Sequence, residues 1–407
     1  MPLEYSDVVA AAERIAEDVV RTPVVRAPSL DERSGANVWL KLETRQRTGS
    51  FKDRGAANRM RQLSAGERKL GVIAMSAGNH AQAVAYQGMR LGIPTTIIMP
   101  QTTPFTKVRR TEQFGAKVVL VGETLADCGG EMKRIARENG LTVVHPYDDA
   151  AVIAGQGTTA LEFLDDVANL DALLVPVGGG GLIAGVALAA ISRNPSIEIV
   201  GVETEAYPSL YRVRNGLPPV AGTTTIAEGI AVKTIGEIPL AIVREHVHDV
   251  ILVPDQAIEN AIHVLLEEEK LLAEGAGAAG VAALLENAGR FRGRNVGIVI
   301  TGGNLDTGLL ANVIMRVRLV KGRVVRMRVE IADRPGALAE VATIIGACGA
   351  NILDVTHQRL FHDVSSKNAE LDVTFEARSP ADVERVAAKL HEANFTTTIL
   401  ESSAKTS

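Results

Sequence analysis

From residue 38 to about 303, short runs of β-branched and aliphatic residues recur between longer alanine-rich segments. They read V-W-L-K-L, G-V-I-A-M, P-T-T-I-I-M, K-V-V-L-V, L-T-V-V, A-L-L-V-P-V, I-E-I-V-G-V, D-V-I-L-V and N-V-G-I-V-I. This alternation restricts the fold more than any other feature, because strand-length apolar runs separated by helix-length segments mark repeated βα units. Several runs are apolar throughout, as parallel strands covered by helices on both faces require. The expected fold class is therefore α/β, a doubly wound parallel sheet with its active groups at the carboxyl ends of strands.

The texture changes after about residue 320, where K-G-R-V-V-R-M-R alternates basic and apolar residues, and a domain boundary is expected there. Beyond it the pattern predicts a strand over Val324 to Ile331, a turn at D-R-P-G and a helix from Ala337 to Ala347. Strands follow over Asn351 to Gln358 and Glu370 to Ala377, then a helix opened by Ser379-Pro380 and a strand over Thr396 to Leu400. That order, β-α-β-β-α-β, is the α+β ferredoxin-like unit, and proline at the first helical position after serine is a good start signal.

Composition removes several function classes. Aromatic residues make up 3% of the 407 and the net charge is −5, which leaves few stacking platforms and no global field for a phosphate backbone, so no nucleic-acid partner is expected. Cys128 and Cys348 lie far apart without a C-x-x-C pattern, which argues against a zinc site or disulfide framework and suits a reducing cytoplasm. No run reaches the roughly 18 apolar residues that a membrane span needs, and the N-terminus lacks a signal-peptide pattern.

Four loops and one lysine carry the chemical signal. P-V-G-G-G-G-L-I-A-G, residues 176 to 185, follows a predicted strand and opens an apolar helix, and bare backbone N–H groups at a helix N-terminus bind anions, phosphate above all. Gly179 to Ala184 also fits G-x-G-x-x-A, with Glu203 ending the next strand, so a dinucleotide site is a rival reading. S-A-G-N-H (76 to 80), A-E-G-I-A (227 to 231) and T-G-G-N (301 to 304) put small and hydrogen-bonding residues at other strand ends. Lys52, inside S-F-K-D-R-G-A at 50 to 56, adds an amine. An amine, a phosphate cradle and ring-binding loops together describe pyridoxal 5′-phosphate chemistry.

S-F-K-D-R-G-A, S-A-G-N-H-A-Q, G-G-G-G-L and T-G-G-N, in this order, resemble the fold-type II pyridoxal-phosphate enzymes (tryptophan synthase β-like), most closely the threonine ammonia-lyases or threonine dehydratases. The resemblance covers residues 5 to 315. It implies a catalytic domain over 1–320 with a small mobile subdomain inserted at approximately 74–151, and pyridoxal 5′-phosphate borne by Lys52, which also acts as the base at the substrate Cα. It further implies Phe51 packed at the cofactor ring, Asn79 on its 3′-oxygen, Gly178, Gly179, Gly180, Gly181 and Leu182 around its phosphate, and the Thr301 hydroxyl at its pyridine nitrogen. Ser76, Ala77, Gly78, Asn79 and His80 would bind the substrate carboxylate. Asp53 is read as a local charge partner.

Two departures from related enzymes bear on function. Serine racemases carry a hydroxyl residue where this chain has Ala77, so elimination is favoured over racemisation, which needs two opposed proton carriers. Their cation site pairs a glutamate with an aspartate six residues on; here Glu203 is followed by Ser209, and no metal is expected.

Residues 324–401, with D-R-P-G-A-L at 333 to 338 and G-A-N-I at 349 to 352, resemble an ACT domain, which implies an amino-acid effector and a homodimer or homotetramer. The resulting expectation is a cytoplasmic ammonia-lyase converting L-threonine to 2-oxobutanoate, and L-serine to pyruvate. Alternatives are a lyase for another β-hydroxy amino acid such as 3-hydroxyaspartate, a serine or threonine racemase, an NAD-dependent dehydrogenase and a catalytically silent amino-acid sensor. Substrate side-chain contacts are expected around Gln156 to Thr159 or Ala227 to Ile230.

Overall fold

The computed structural model describes residues 3–220, 222–358 and 368–400. The chain divides after Leu305 into two compact units, ahead of the change in texture at 320.

Among the described residues the first unit holds ten strands: β1 (Val24–Arg26), β2 (Asn37–Leu42), β3 (Val72–Met75), β4 (Thr95–Met99), β5 (Lys117–Leu120), β6 (Thr142–Val143), β7 (Ala172–Pro176), β8 (Glu198–Thr204), β9 (Asp249–Val253) and β10 (Asn295–Ile300). They form two sheets, one ordered β1-β2-β10-β7-β8-β9 and a smaller one ordered β5-β4-β3-β6. The smaller sheet is parallel, and the larger is parallel except at β1, which runs antiparallel to β2. The doubly wound parallel sheet expected from the sequence is present, with one antiparallel strand added at its edge. Three residues are too few to show a period, and β1 is made by its pairing with β2.

All five residues of β7 are buried, which is why A-L-L-V-P lacks alternation: helices cover both faces of a central parallel strand. On one face Leu173 and Val175 join Ile183, Val186 and Phe163 from the helices Gly181–Arg193 and Ala150–Asp166. Each buried aliphatic side chain contributes about 1.5–3 kcal/mol, so the glycine loop after β7 hangs from a rigid support.

In the second unit the helix Thr307–Val320 precedes β11 (Val324–Ala332), the helix Ala337–Ala347, β12 (Asn351–Gln358), β13 (Asn368–Glu376), the helix Pro380–Glu392 and β14 (Thr396–Ile399). The sheet order β12-β13-β11-β14 is antiparallel throughout. Here the strands do alternate. Met327, Val329 and Ile331 enter a core with Val341 and Val386, while Arg326 and Arg328 on the other face both pair with Asp372 at 3.0 Å or less. Ser379 caps its helix in a box with Asp382.

Candidate active site

Lys52 opens the helix Lys52–Arg61, and its lead-in is fastened to the loop after β10. Phe51 N–H donates to the Thr301 carbonyl at 3.0 Å, Gly303 N–H to the Gly49 carbonyl at 3.0 Å, and Ser50 bridges Gly302. Asp53 turns back on this segment, accepting from Thr48 N–H at 2.9 Å and Thr48 Oγ1 at 2.6 Å. Its carboxyl is buried, and that burial pushes it up to about 6. Asp53 is therefore first of all a turn anchor, and the charge of neighbouring Arg54 acts on it less than burial and the Thr48 bonds do. Arg54 takes the ionic role: it holds Glu43 through two bonds of 2.8 Å and Glu162 through two of 2.7 Å, with Lys41 on Glu162 at 2.6 Å.

Lys52 itself is half-buried. Its Nζ donates to the Pro146 carbonyl at 2.8 Å and sits 5.0 Å from the centroid of the Phe51 ring. Burial lowers its pKa to about 8, only partly offset by the Glu274 carboxylate. A lysine held by a neutral carbonyl at that pKa is an amine ready to react near neutral pH.

Around it converge the carboxyl ends of several strands. After β7, the N–H groups of Gly178, Gly179 and Gly180 make no hydrogen bond among the described residues, and Gly180 adopts φ +91° before the helix at Gly181. The stretch is closely walled: a Cβ on Gly179 would lie 2.2–2.4 Å from the Tyr147 ring, and one on Gly178 3.2 Å from the Ile230 Cα. Only glycine permits this backbone, and its unpaired donors form an anion cradle.

After β3, Ser76 Oγ accepts from Gly78 N–H at 3.1 Å, and the helix Asn79–Leu91 begins at once. Its first-turn N–H groups are free for an anion. The His80 ring is excluded from that role. It is 3% exposed, its Nε2 lies 2.9 Å from the Val144 carbonyl, and burial lowers its pKa to about 3. A carbonyl only accepts, so Nε2 carries the proton and the neutral ring clamps the two segments together; of His80, only the backbone remains for a ligand. Thr301 is buried at the end of β10.

Of the two stretches expected near a substrate side chain, Gln156 to Thr159 lies inside the helix Ala150–Asp166, where Gln156 Oε1 accepts from Gly55 N–H at 3.1 Å. Those residues are core. Ala227 to Ile230 does border the site, as a turn beside Gly178. Glu203 accepts from Leu210 N–H at 2.7 Å and Tyr211 N–H at 2.9 Å, which employs it as a helix cap, and the described residues contain no group of three metal-ligating side chains.

Two participants lie outside the motifs read from the sequence, Glu274 and the segment 145–149, and a third, Asn304, stands in T-G-G-N without a role assigned to it. Glu274 accepts from Asn79 Nδ2 at 2.6 Å and is pushed up to about 7 by burial. Asn304 bridges Asn79 and Thr48. The segment H-P-Y-D-D at 145 to 149 supplies the carbonyl for Lys52, the ring over Gly179 and, through Asp148, the cap for the helix Glu237–His246. H-P-Y-D-D follows β6 just as the recognised loops follow their strands, which is the signal that could have found it.

This donor set fits pyridoxal phosphate: unpaired N–H groups in a glycine cradle suit the phosphate, and a desolvated lysine suits the aldehyde. The chain belongs to the pyridoxal-phosphate dependent enzymes, whose family profile matches residues 15–302; an ACT domain profile matches 320–395. Among individual proteins, it is 42% identical over 378 residues to an L-threonine ammonia-lyase of Thermotoga maritima, covering 92% of this chain and 94% of that one. Two solved structures are similar: maize serine racemase, with TM-score 0.74 at 34% identity over 78% of this chain and 98% of that one, and processed threonine deaminase isoform 2 of Solanum lycopersicum, with TM-score 0.73 at 34% identity over 77% and 95%.

Proposed function

We propose that the protein is an L-threonine ammonia-lyase that also accepts L-serine, eliminating water from the β-hydroxy amino acid to leave 2-oxobutanoate or pyruvate and ammonia. The observation that carries this reading is the half-buried Lys52 amine, pKa about 8, held on the Pro146 carbonyl next to Tyr147, whose ring walls the Gly178 to Gly180 loop. When bound, pyridoxal phosphate supplies an electron-withdrawing ring that makes the substrate Cα–H acidic.

Lys52 would hold the cofactor, Phe51 pack beside it, Gly178 to Leu182 bind its phosphate through backbone N–H groups, Asn79 reach its ring oxygen and Thr301 its ring nitrogen. Lys52 Nζ takes the proton from the substrate Cα. The substrate carboxylate sits at the N-terminus of the helix Asn79–Leu91, within reach of Ser76, Ala77, Gly78 and the backbone of Asn79 and His80, where free N–H groups and the helix dipole favour an anion. Tyr147 and the turn at Ala227 to Ile230 wall off water. The test is 2-oxobutanoate release from L-threonine together with the visible absorption of the bound cofactor, both of which Lys52→Ala should abolish; a Lys52→Ala protein that deaminates threonine at the normal rate ends the proposal.

The likeness to maize serine racemase favours racemisation as a second reading. Ala77 offers no proton carrier, so D-serine formation from L-serine should be at most a trace beside pyruvate.

The catalytic part is taken as 1–320, with its small portion, approximately 74–151, closing over substrate. Lys107, on the helix Phe105–Glu112, meets Glu228 beside the glycine cradle at 2.5 Å and would break and re-form with that closure. The ACT part, 324–401, would bind an amino-acid effector in a cytoplasmic homodimer or homotetramer. No helix among the described residues is long and apolar enough to cross a membrane. Activity with and without branched-chain amino acids, before and after deletion beyond residue 322, tests the effector; light scattering tests the assembly.

A further inference from the structure

Which end of the Asn79 amide faces the cleft is decided by a chain of hydrogen bonds anchored on a backbone carbonyl. Asn304 Nδ2 lies 2.8 Å from the Thr48 carbonyl oxygen and 2.8 Å from Asn79 Oδ1. A carbonyl can only accept, so the Asn304 group facing Thr48 is its NH2, and its two N–H bonds serve one oxygen each. The Asn79 atom facing Asn304 is then an acceptor. Its own NH2 must point the other way, where one N–H meets Glu274 Oε1 at 2.6 Å and the second is left for the cleft. The two ends of an amide are nearly equal in shape, so such an assignment rests on its partners; here every partner agrees.

The surroundings keep space for this chain. A Cβ on Gly49 would stand 2.9 Å from Asn304 Oδ1, and one on Gly302 would stand 2.5 Å from Glu274 Oε1. Thr48 is held in turn by Asp53 through its N–H and hydroxyl, so the chain runs back to the helix that begins at Lys52.

We propose that Asn304 is a positioning residue that acts through Asn79, holding that amide with its N–H toward the oxygen on the cofactor ring. The inference rests on the pyridoxal-phosphate reading above. Asn304→Asp probes it, having the same shape and no donor. Asn79 must then turn its NH2 toward the new carboxylate, which sets its oxygen against Glu274 and the cofactor oxygen, acceptor against acceptor.

The experiment titrates pyridoxal phosphate into full-length enzyme stripped of cofactor and follows the visible absorption of the bound form. Asn304→Asp should weaken binding about tenfold or more, the equivalent of one lost hydrogen bond to a charged or ring oxygen, and should move the absorption maximum. Made in an Asn79→Ala background, the same substitution should change affinity less than about twofold, the additivity limit for a residue with no other route to the site. Equal weakening in both backgrounds, or unchanged affinity and spectrum in the single variant, overturns the proposal. Asn304→Ala, read by the same two arms, replaces Asn304→Asp should the latter fail to fold. A wild-type protein that binds no pyridoxal phosphate would instead defeat the functional reading, so the two failures are distinguishable.

Discussion

Lys52 and Arg54 stand two residues apart on one helix and live in opposite electrostatic worlds. Arg54 is buried among Glu43, Glu162 and Lys41, two cations against two anions, with every contact near 2.7 Å. Its pKa is driven upward by Glu43 and Glu162 against the opposing effect of burial. Lys52 meets a carbonyl and the Phe51 ring, and its pKa falls. Burial is common to both; pairing separates them. A desolvated cation bonded to anions becomes a structural strut, and one bonded to a carbonyl, with an anion only at a distance, is left as an amine of lowered pKa.

The contrast can be broken at either end. Lys52→Ala should reduce 2-oxobutanoate formation about a thousandfold or more, in the range of a lost acid–base group, while leaving the melting temperature of the cofactor-free protein nearly unchanged because no ion pair is lost. Arg54→Met should do the converse and destabilise by about 3–5 kcal/mol, since it strands two carboxylates with one lysine; guanidinium unfolding monitored by circular dichroism measures it. Loss of stability on Lys52→Ala, or none on Arg54→Met, would reverse the assignment of roles.

Gly179→Ala sharpens the picture of the cradle. Its Cβ would meet the Tyr147 ring at 2.2–2.4 Å, an overpacking worth about 1–3 kcal/mol, so cofactor affinity should fall about 5- to 150-fold in an equilibrium titration, with substrate affinity following.

A pH experiment reads the desolvation of Lys52 directly. In cofactor-free enzyme, the rate of Lys52 acylation followed by peptide mass spectrometry should climb through about pH 8 rather than the ordinary 10.5. Since Glu274 raises that pKa, Glu274→Gln should move the midpoint lower still. The sign carries over to stability: between the two pKa values the unfolded chain binds the extra proton, so the cofactor-free fold gains stability as pH rises across that window and loses it as pH falls toward 8. The smallest effect belongs to Lys107→Ala, whose partner Glu228 is 66% exposed. It should alter stability by less than about 1 kcal/mol, and a larger loss in KM than in melting temperature would tie the pair to closure.

Much of this molecule is local and was legible as such. The nine apolar runs between residues 38 and 303 became β2 through β10, and the second unit's strands fell within two residues of their predicted bounds. The four motifs could be recognised because a glycine-rich turn or a lysine before a helix declares its chemistry within a few letters. What stayed hidden depends on partners far along the chain: β1 exists by pairing with β2, and Glu274 lies 195 positions from the amide it holds. The bonds that Asp53 makes to Thr48 and His80 to the Val144 carbonyl were out of reach for one reason, because a carboxylate or an imidazole looks the same in sequence whether it faces solvent, a hydroxyl or a carbonyl.

Alone, then, the sequence determined the fold class, which rests on periodicity, and singled out Lys52 in a short motif as the candidate amine. Tertiary structure decided which of two neighbouring cations is ion-paired and which is desolvated on a carbonyl, which way the Asn79 amide turns and which polar side chains brace the site. These depend on desolvation and on hydrogen-bond partners brought together from distant strand ends.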